Sequence, residues 1–164
     1  MSGLRVSPWR CGDAVLPFLS MAQLTGEARY LDAAMRVAAW TRNVDAGDGS
    51  WTNELDPKSW KGTTVFTAIA FAEALEWHGG LLDEPVRAAW RDRLKKAGEF
   101  ISGNLTVNSA AAEARFLGRT TNINYGVSGA YALLTDDRKA LDLAAASFRQ
   151  HLEFMLPDGG WDNS

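Results

Sequence analysis

Thr63–His78, TTVFTAIAFAEALEWH, is the stretch that decides the fold. Val65, Phe66, Ala68, Ile69, Ala70, Phe71, Ala72, Ala74 and Leu75 leave Glu73 and Glu76 as its only acidic interruptions. At a helical period the apolar residues fall on most sides, so a helix from Thr63 to Trp77 has to be enclosed by other elements. His78-Gly79-Gly80 ends it, with glycine available for a left-handed cap. The next segment has a different character. Asp83 or Glu84 opens a helix with Pro85 in its first turn. It turns Val86, Ala89, Trp90, Leu94, Ala97 and Ile101 inward and Arg87, Arg91, Arg93, Lys95 and Lys96 outward. The basic run, balanced by Asp92 and Glu99, reads as a solvated face.

The alternation recurs on either side. A first apolar helix covers about Gly12 to Gln23, with Pro17 kinking it or marking a late start. After a turn at Gly26 and Glu27, an amphipathic helix runs from about Ala28 to Asn43, with Leu31, Ala34, Val37 and Ala38 as its stripe. Further on, Asn124 to Leu134 is small and apolar, Thr135-Asp136-Asp137 turns, and Arg138 to Met155 is amphipathic again. Enclosed helices taking turns with one-striped helices make an inner and an outer layer.

The expected fold is therefore all-α: a toroid-like array of three antiparallel helical hairpins, over about 12–43, 63–102 and 122–156, in one domain spanning 1–164. Inner-to-outer turns are short, whereas the links over about Val44 to Gly62 and Gly103 to Thr121 are long. Antiparallel hairpins gather those long links at one end, where loops of such length are usually functional. Asp48-Gly49-Ser50-Trp51 returns as Asp158-Gly159-Gly160-Trp161, again just after an outer helix. The copies stand two hairpins apart at roughly 55 residues each, within the range of helical repeats.

Composition excludes several classes. The formal net charge of -3 gives no basic surface for nucleic acid. Cys11 is the single cysteine, so an intrachain disulfide or a thiolate metal cluster cannot form. The two histidines have no metal-ligand spacing, and no zinc, other metal or cofactor is expected. No apolar run approaches a membrane span and MSGLRVSPWRCGD lacks a signal-peptide core, so the expectation is a soluble, cytoplasmic chain.

Trp9-Arg10-Cys11-Gly12-Asp13, the Asp48-Gly49-Ser50-Trp51 loop, Lys61-Gly62-Thr63-Thr64 and Asn122-Ile123-Asn124-Tyr125 together give a repeat style that resembles the helical toroid domain of heparinase-like polysaccharide lyases and related uronic-acid enzymes. The Asp-Gly-X-Trp turn is also similar to those of terpene-cyclase toroids and unsaturated-glucuronyl hydrolases. The resemblance implies an oligo- or polysaccharide partner and cleavage of uronic-acid-containing glycans by β-elimination. Fewer hairpins are present than in those lyases, and no histidine adjoins Asn122 or Asn124. An incomplete ring exposes apolar flanks, so self-association through the terminal hairpins is expected.

β-Elimination needs the uronate carboxylate neutralised, a base for the C5 proton and an acid for the leaving oxygen. The lyase resemblance assigns carboxylate binding to Asn122 or Asn124 and base or acid to Tyr125. These residues begin the third inner helix at the long-loop rim; as plain structure they serve as a helix cap and a buried aromatic. Trp51 and Trp60 are candidate sugar-stacking faces, with repeat packing the competing role, stronger for Trp51 because of its echo. Asn53, Glu54 and Lys61 flank them as candidates for hydroxyls or a carboxylate, or as solvated loop. His78 lies at the opposite, short-turn end and suits a helix C-terminus; His151 faces solvent on an outer helix. Asp13, Asp48 and Asp158 keep open a glycoside hydrolase using paired carboxylates, although turn and cap roles suit all of them. A non-catalytic carbohydrate-binding repeat module is the remaining alternative.

Overall fold

The computed structural model describes residues 11–104 and, further along, Arg138, Asp142, Ala145, Arg149, Pro157 and Asp158. No strand occurs among the described residues, which hold one isolated antiparallel bridge, Asp45 to Trp51. A 3-10 turn, Cys11–Ala14, leads into α1, Val15–Thr25. Pro17 sits in the first turn of α1, where its missing N–H costs nothing. The second helix, α2, spans Ala28–Trp40 and tightens into a 3-10 turn, Thr41–Val44, so the α-helical part stops short of Asn43. Then come α3, Thr63–His78, a 3-10 turn, Gly79–Leu81, and α4, Glu84–Asn104. The third hairpin at 122–156, the link over 103–121 beyond Asn104, His151 and Trp161 lie outside the described residues, apart from single positions. Arg138, Asp142, Ala145 and Arg149 are each helical, and Arg138 pairs with Asp142 at 3.3 Å across one turn.

Sequence chemistry sets the element ends. Gly26 takes φ 69°, a left-handed conformation that L side chains avoid, and its N–H closes α1 on the Ala22 carbonyl at 2.9 Å. The left-handed cap expected at Gly79 is absent: Gly79 has φ -57° and passes directly into the 3-10 turn. Asp83 accepts the Val86 N–H at 3.1 Å and caps α4, with Pro85 just inside the helix as expected.

The third helix is the most enclosed of the described elements. In α3, residues on every side are buried, including Val65, Ala68, Phe71, Ala72, Ala74 and Leu75. The third helix packs on α1 and α4, and α1 packs on α2. Phe71 meets the Trp90 ring of α4 with centroids 4.5 Å apart and a 57° tilt, a favoured edge-inclined geometry. A groove of about 490 Å³ runs between α2 and α4, lined by Met35, Ala38, Val86, Ala89 and Trp90 among others. Ala89, expected inward, is exposed on this groove. The first helix is less enclosed than its apolar character suggested, because Leu24 is 80% and Met21 37% exposed on its outer flank. No described helix is long and apolar enough to cross a membrane.

Candidate functional site

The link from α2 to α3 is built as a tight turn followed by a wider loop. Asp45 Oδ1 accepts the Gly47 N–H at 2.8 Å, and Asp48 Oδ1 accepts the Ser50 N–H at 3.0 Å and the Ser50 hydroxyl. Gly47 and Gly49 take φ of 81° and 92°, which side-chain-bearing residues rarely adopt. At Gly49 a Cβ would also run into the backbone carbonyl of Lys96 on α4, so the turn can lie against α4 only with glycine there. Asp48 is thus a turn former, as its sequence context suggested.

Thr64, at the start of α3, ties the link down. Its hydroxyl accepts the Trp51 N–H at 2.8 Å and lies 2.7 Å from the Lys61 carbonyl and 3.1 Å from the Trp51 carbonyl. Asn53 donates its backbone N–H to the Trp60 carbonyl at 3.1 Å, closing the wider loop. The Asn53 side chain is 8% exposed, and its Oδ1 finds no hydrogen-bond partner among the described residues.

Among the candidate site residues, Trp60 and Lys61 lie at the surface of this rim. Trp60 is 37% exposed and its indole folds over Gly62, where any side chain would collide with the ring. The Lys61 ammonium contacts Asp48 Oδ2 at 2.5 Å and sits 5.8 Å over the Phe100 ring. Glu54 is fully in the exposed part of the loop. Trp51 is different. It is buried, its ring covered by the Arg93 guanidinium at 3.5 Å and near Phe71 at 5.8 Å, so packing takes the faces that sugar stacking would need. Tyr125, Asn124 and Asn122 lie outside the described residues.

Arg93 corrects the expectation of a uniformly solvated α4 face. Its side chain is 18% exposed; Nε pairs with Asp45 Oδ2 at 3.0 Å, and Nη1 and Nη2 donate to the Gly49 and Ser50 carbonyls at 2.9 and 3.0 Å. Burial pulls the guanidinium below its usual range, while Asp45, Asp48 and Asp92 act the other way. The signal was in the spacing: Arg93 follows Trp90 by three and precedes Ala97 by four, which places it on the buried stripe. His78, at the opposite end, contacts Gln23 and lies 3.1 Å from the Ser20 hydroxyl, so it joins α1 to α3 rather than serving its own helix end alone.

The partners of Asp48 set a pH dependence. Partial burial on its own would raise its carboxyl, but hydrogen bonds from Lys61 and Ser50 prevail and hold it at about 2, below the ordinary 3.8. A depressed folded-state value stabilises the fold above the unfolded value and loses that contribution as pH falls toward the folded one. The wild type is therefore expected to lose up to ~1 kcal/mol, after solvent screening, as pH drops from 3.8 to about 2. Asp48→Asn keeps the acceptor for Ser50 and should lack this increment. Urea titrations across that window check it, and identical pH slopes in the two proteins would contradict it.

The fold and this loop define a helical-hairpin domain with an elaborate, polar rim at the start of an enclosed helix. Comparison with known proteins gives its family. The family model for the ulvan lyase N-terminal domain matches residues 5–135 and 129–164, and the chain belongs to that family. It is 32% identical to a broad-specificity ulvan lyase of Formosa agariphila, over 94% of this chain and 34% of that protein. The chain spans about a third of the length of that relative. No solved structure matches it.

Proposed function

We propose that the chain is the helical domain of a polysaccharide lyase that cleaves uronic-acid-containing glycans by β-elimination, ulvan being the substrate its relative names. Family membership carries this reading. In it, the hairpins continue over 122–156 into a toroid-like array whose long links face the glycan. Trp60 stacks on a sugar ring, Lys61 pairs with a uronate carboxylate and Glu54 meets hydroxyls, while the buried Asn53 closes the loop through its backbone N–H. Asn122 or Asn124 shares the carboxylate, which makes the C5 proton more acidic. Tyr125 takes that proton; the electron pair forms the C4–C5 double bond, the C4–O bond breaks, and an acid protonates the departing oxygen. The N-terminal end of α3 at this rim, with its positive dipole end, favours an anionic ligand.

A binding domain without turnover is the second reading, favoured by the share of the relative that the chain covers. Incubation with ulvan separates the two. Rising absorbance from a conjugated C4–C5 double bond is the expected result for the lyase. New reducing ends without that absorbance would mean hydrolysis, and binding without new ends would leave the chain as a glycan-binding domain.

A further inference from the structure

Lys61 is held to the Asp45–Trp51 turn twice. Its ammonium meets Asp48 Oδ2 at 2.5 Å, and its carbonyl lies 2.7 Å from the Thr64 hydroxyl that accepts the Trp51 N–H. Arg93 fastens the turn itself to α4. The Arg93 fork reaches Asp45, the Gly49 carbonyl and the Ser50 carbonyl at once, while its plane covers the Trp51 ring. Asp48 stands immediately before the two residues whose carbonyls Arg93 holds, and its carboxylate accepts the N–H of the second.

We propose that Arg93 is a positioning residue for Lys61, setting the height and direction of its ammonium at the rim through the Asp45–Trp51 turn. The assignment of Lys61 to a uronate carboxylate rests on the reading above; the mechanical link from Arg93 to Lys61 stands on these contacts alone. The task is specific to arginine. Satisfying a carboxylate and two carbonyls in one plane while stacking on an indole needs a rigid planar fork, and lysine offers a single point charge. Arg93→Lys therefore keeps the charge that balances Asp45 and loses the fixed turn.

The test begins without a glycan. The full 164-residue chain, reductively dimethylated with carbon-13, reports each lysine by NMR, and Asp48→Asn identifies the Lys61 signal by displacing it. Arg93→Lys is expected to shift that signal toward those of solvated lysines. Leu94→Ala, which loosens α4 at a buried neighbour, should lower the melting temperature and leave the signal in place. A Lys61 signal unmoved in Arg93→Lys, or moved equally by Leu94→Ala, overturns the proposal.

Binding to a uronate polymer and to its carboxyl-reduced counterpart then reads the consequence. Arg93→Lys should weaken uronate binding roughly tenfold, the scale of one charge-assisted hydrogen bond, and leave the neutral polymer unaffected. Equal weakening for both polymers contradicts a role through Lys61. If the wild type binds neither polymer, the rim reading falls and the uronate role falls with it, while the NMR result still decides whether Arg93 positions Lys61.

Discussion

Trp51→Ala is expected to cost about 3–5 kcal/mol of folding free energy, the range for removing a buried aromatic ring. The ring is 2% exposed and fills the space between Phe71 of α3 and the Arg93 guanidinium of α4. Its loss opens a cavity and strips Arg93 of the aromatic face beneath its charge, leaving that group half-dry with fewer contacts. Arg93 also anchors the Gly49 and Ser50 carbonyls, so the turn should loosen with the core. Trp51→Phe retains part of the packing and should lose less. Urea unfolding gives both values, and a loss below about 1 kcal/mol for alanine would contradict a packed ring. Any fall in glycan affinity in Trp51→Ala should then track the unfolded or loosened fraction, since the indole is covered.

Tyr125→Phe is expected to lower elimination by about 100- to 10,000-fold, the usual contribution of a positioned proton-transfer group. Phenylalanine matches the ring and removes only the hydroxyl, so a shared circular-dichroism spectrum and melting temperature would show that the fold survives. Full activity in that variant would take Tyr125 out of the chemistry and shift the search for the base elsewhere on the rim. The substitution acts on the proposed mechanism, whereas Trp51→Ala acts on the scaffold beneath it, so the two results are independent.

The all-α character and the enclosure of α3 were legible because hydrophobic pattern reports burial directly. Val65 to Leu75 is apolar on all sides and is buried on all sides, and α4 begins at the acid-proline pair that marked it. Less was legible where one residue type serves two geometries. Glycine allows a left-handed cap at Gly26 and at Gly79 alike, and only the course of the chain after each decides between that cap and a 3-10 turn. Arg93 shares its charge with the solvated face of α4, but its position on the stripe of Trp90, Leu94 and Ala97 outweighs its polarity once Asp45 and two carbonyls stand opposite. Trp51 and Trp60 share a loop and a residue type, yet one is core and the other half-open. Local sequence does not separate them, since the cover over the first is the Arg93 guanidinium of α4, more than forty residues along the chain. For the candidate site, sequence brought out Trp60 and Lys61 on one rim but not the ion pair that orients Lys61.

The central claim is that glycan meets this molecule at the α2–α3 link. The most direct test follows the tryptophan indole N–H signals and the Lys61 signal by NMR during titration with a uronate oligosaccharide. The claim predicts that Trp60 and Lys61 shift together and saturably, while Trp77, 69% exposed at the end of α3 away from this link, stays still. Shifts confined to Trp77, or to Trp90 in the groove between α2 and α4, with Trp60 and Lys61 silent, would contradict it.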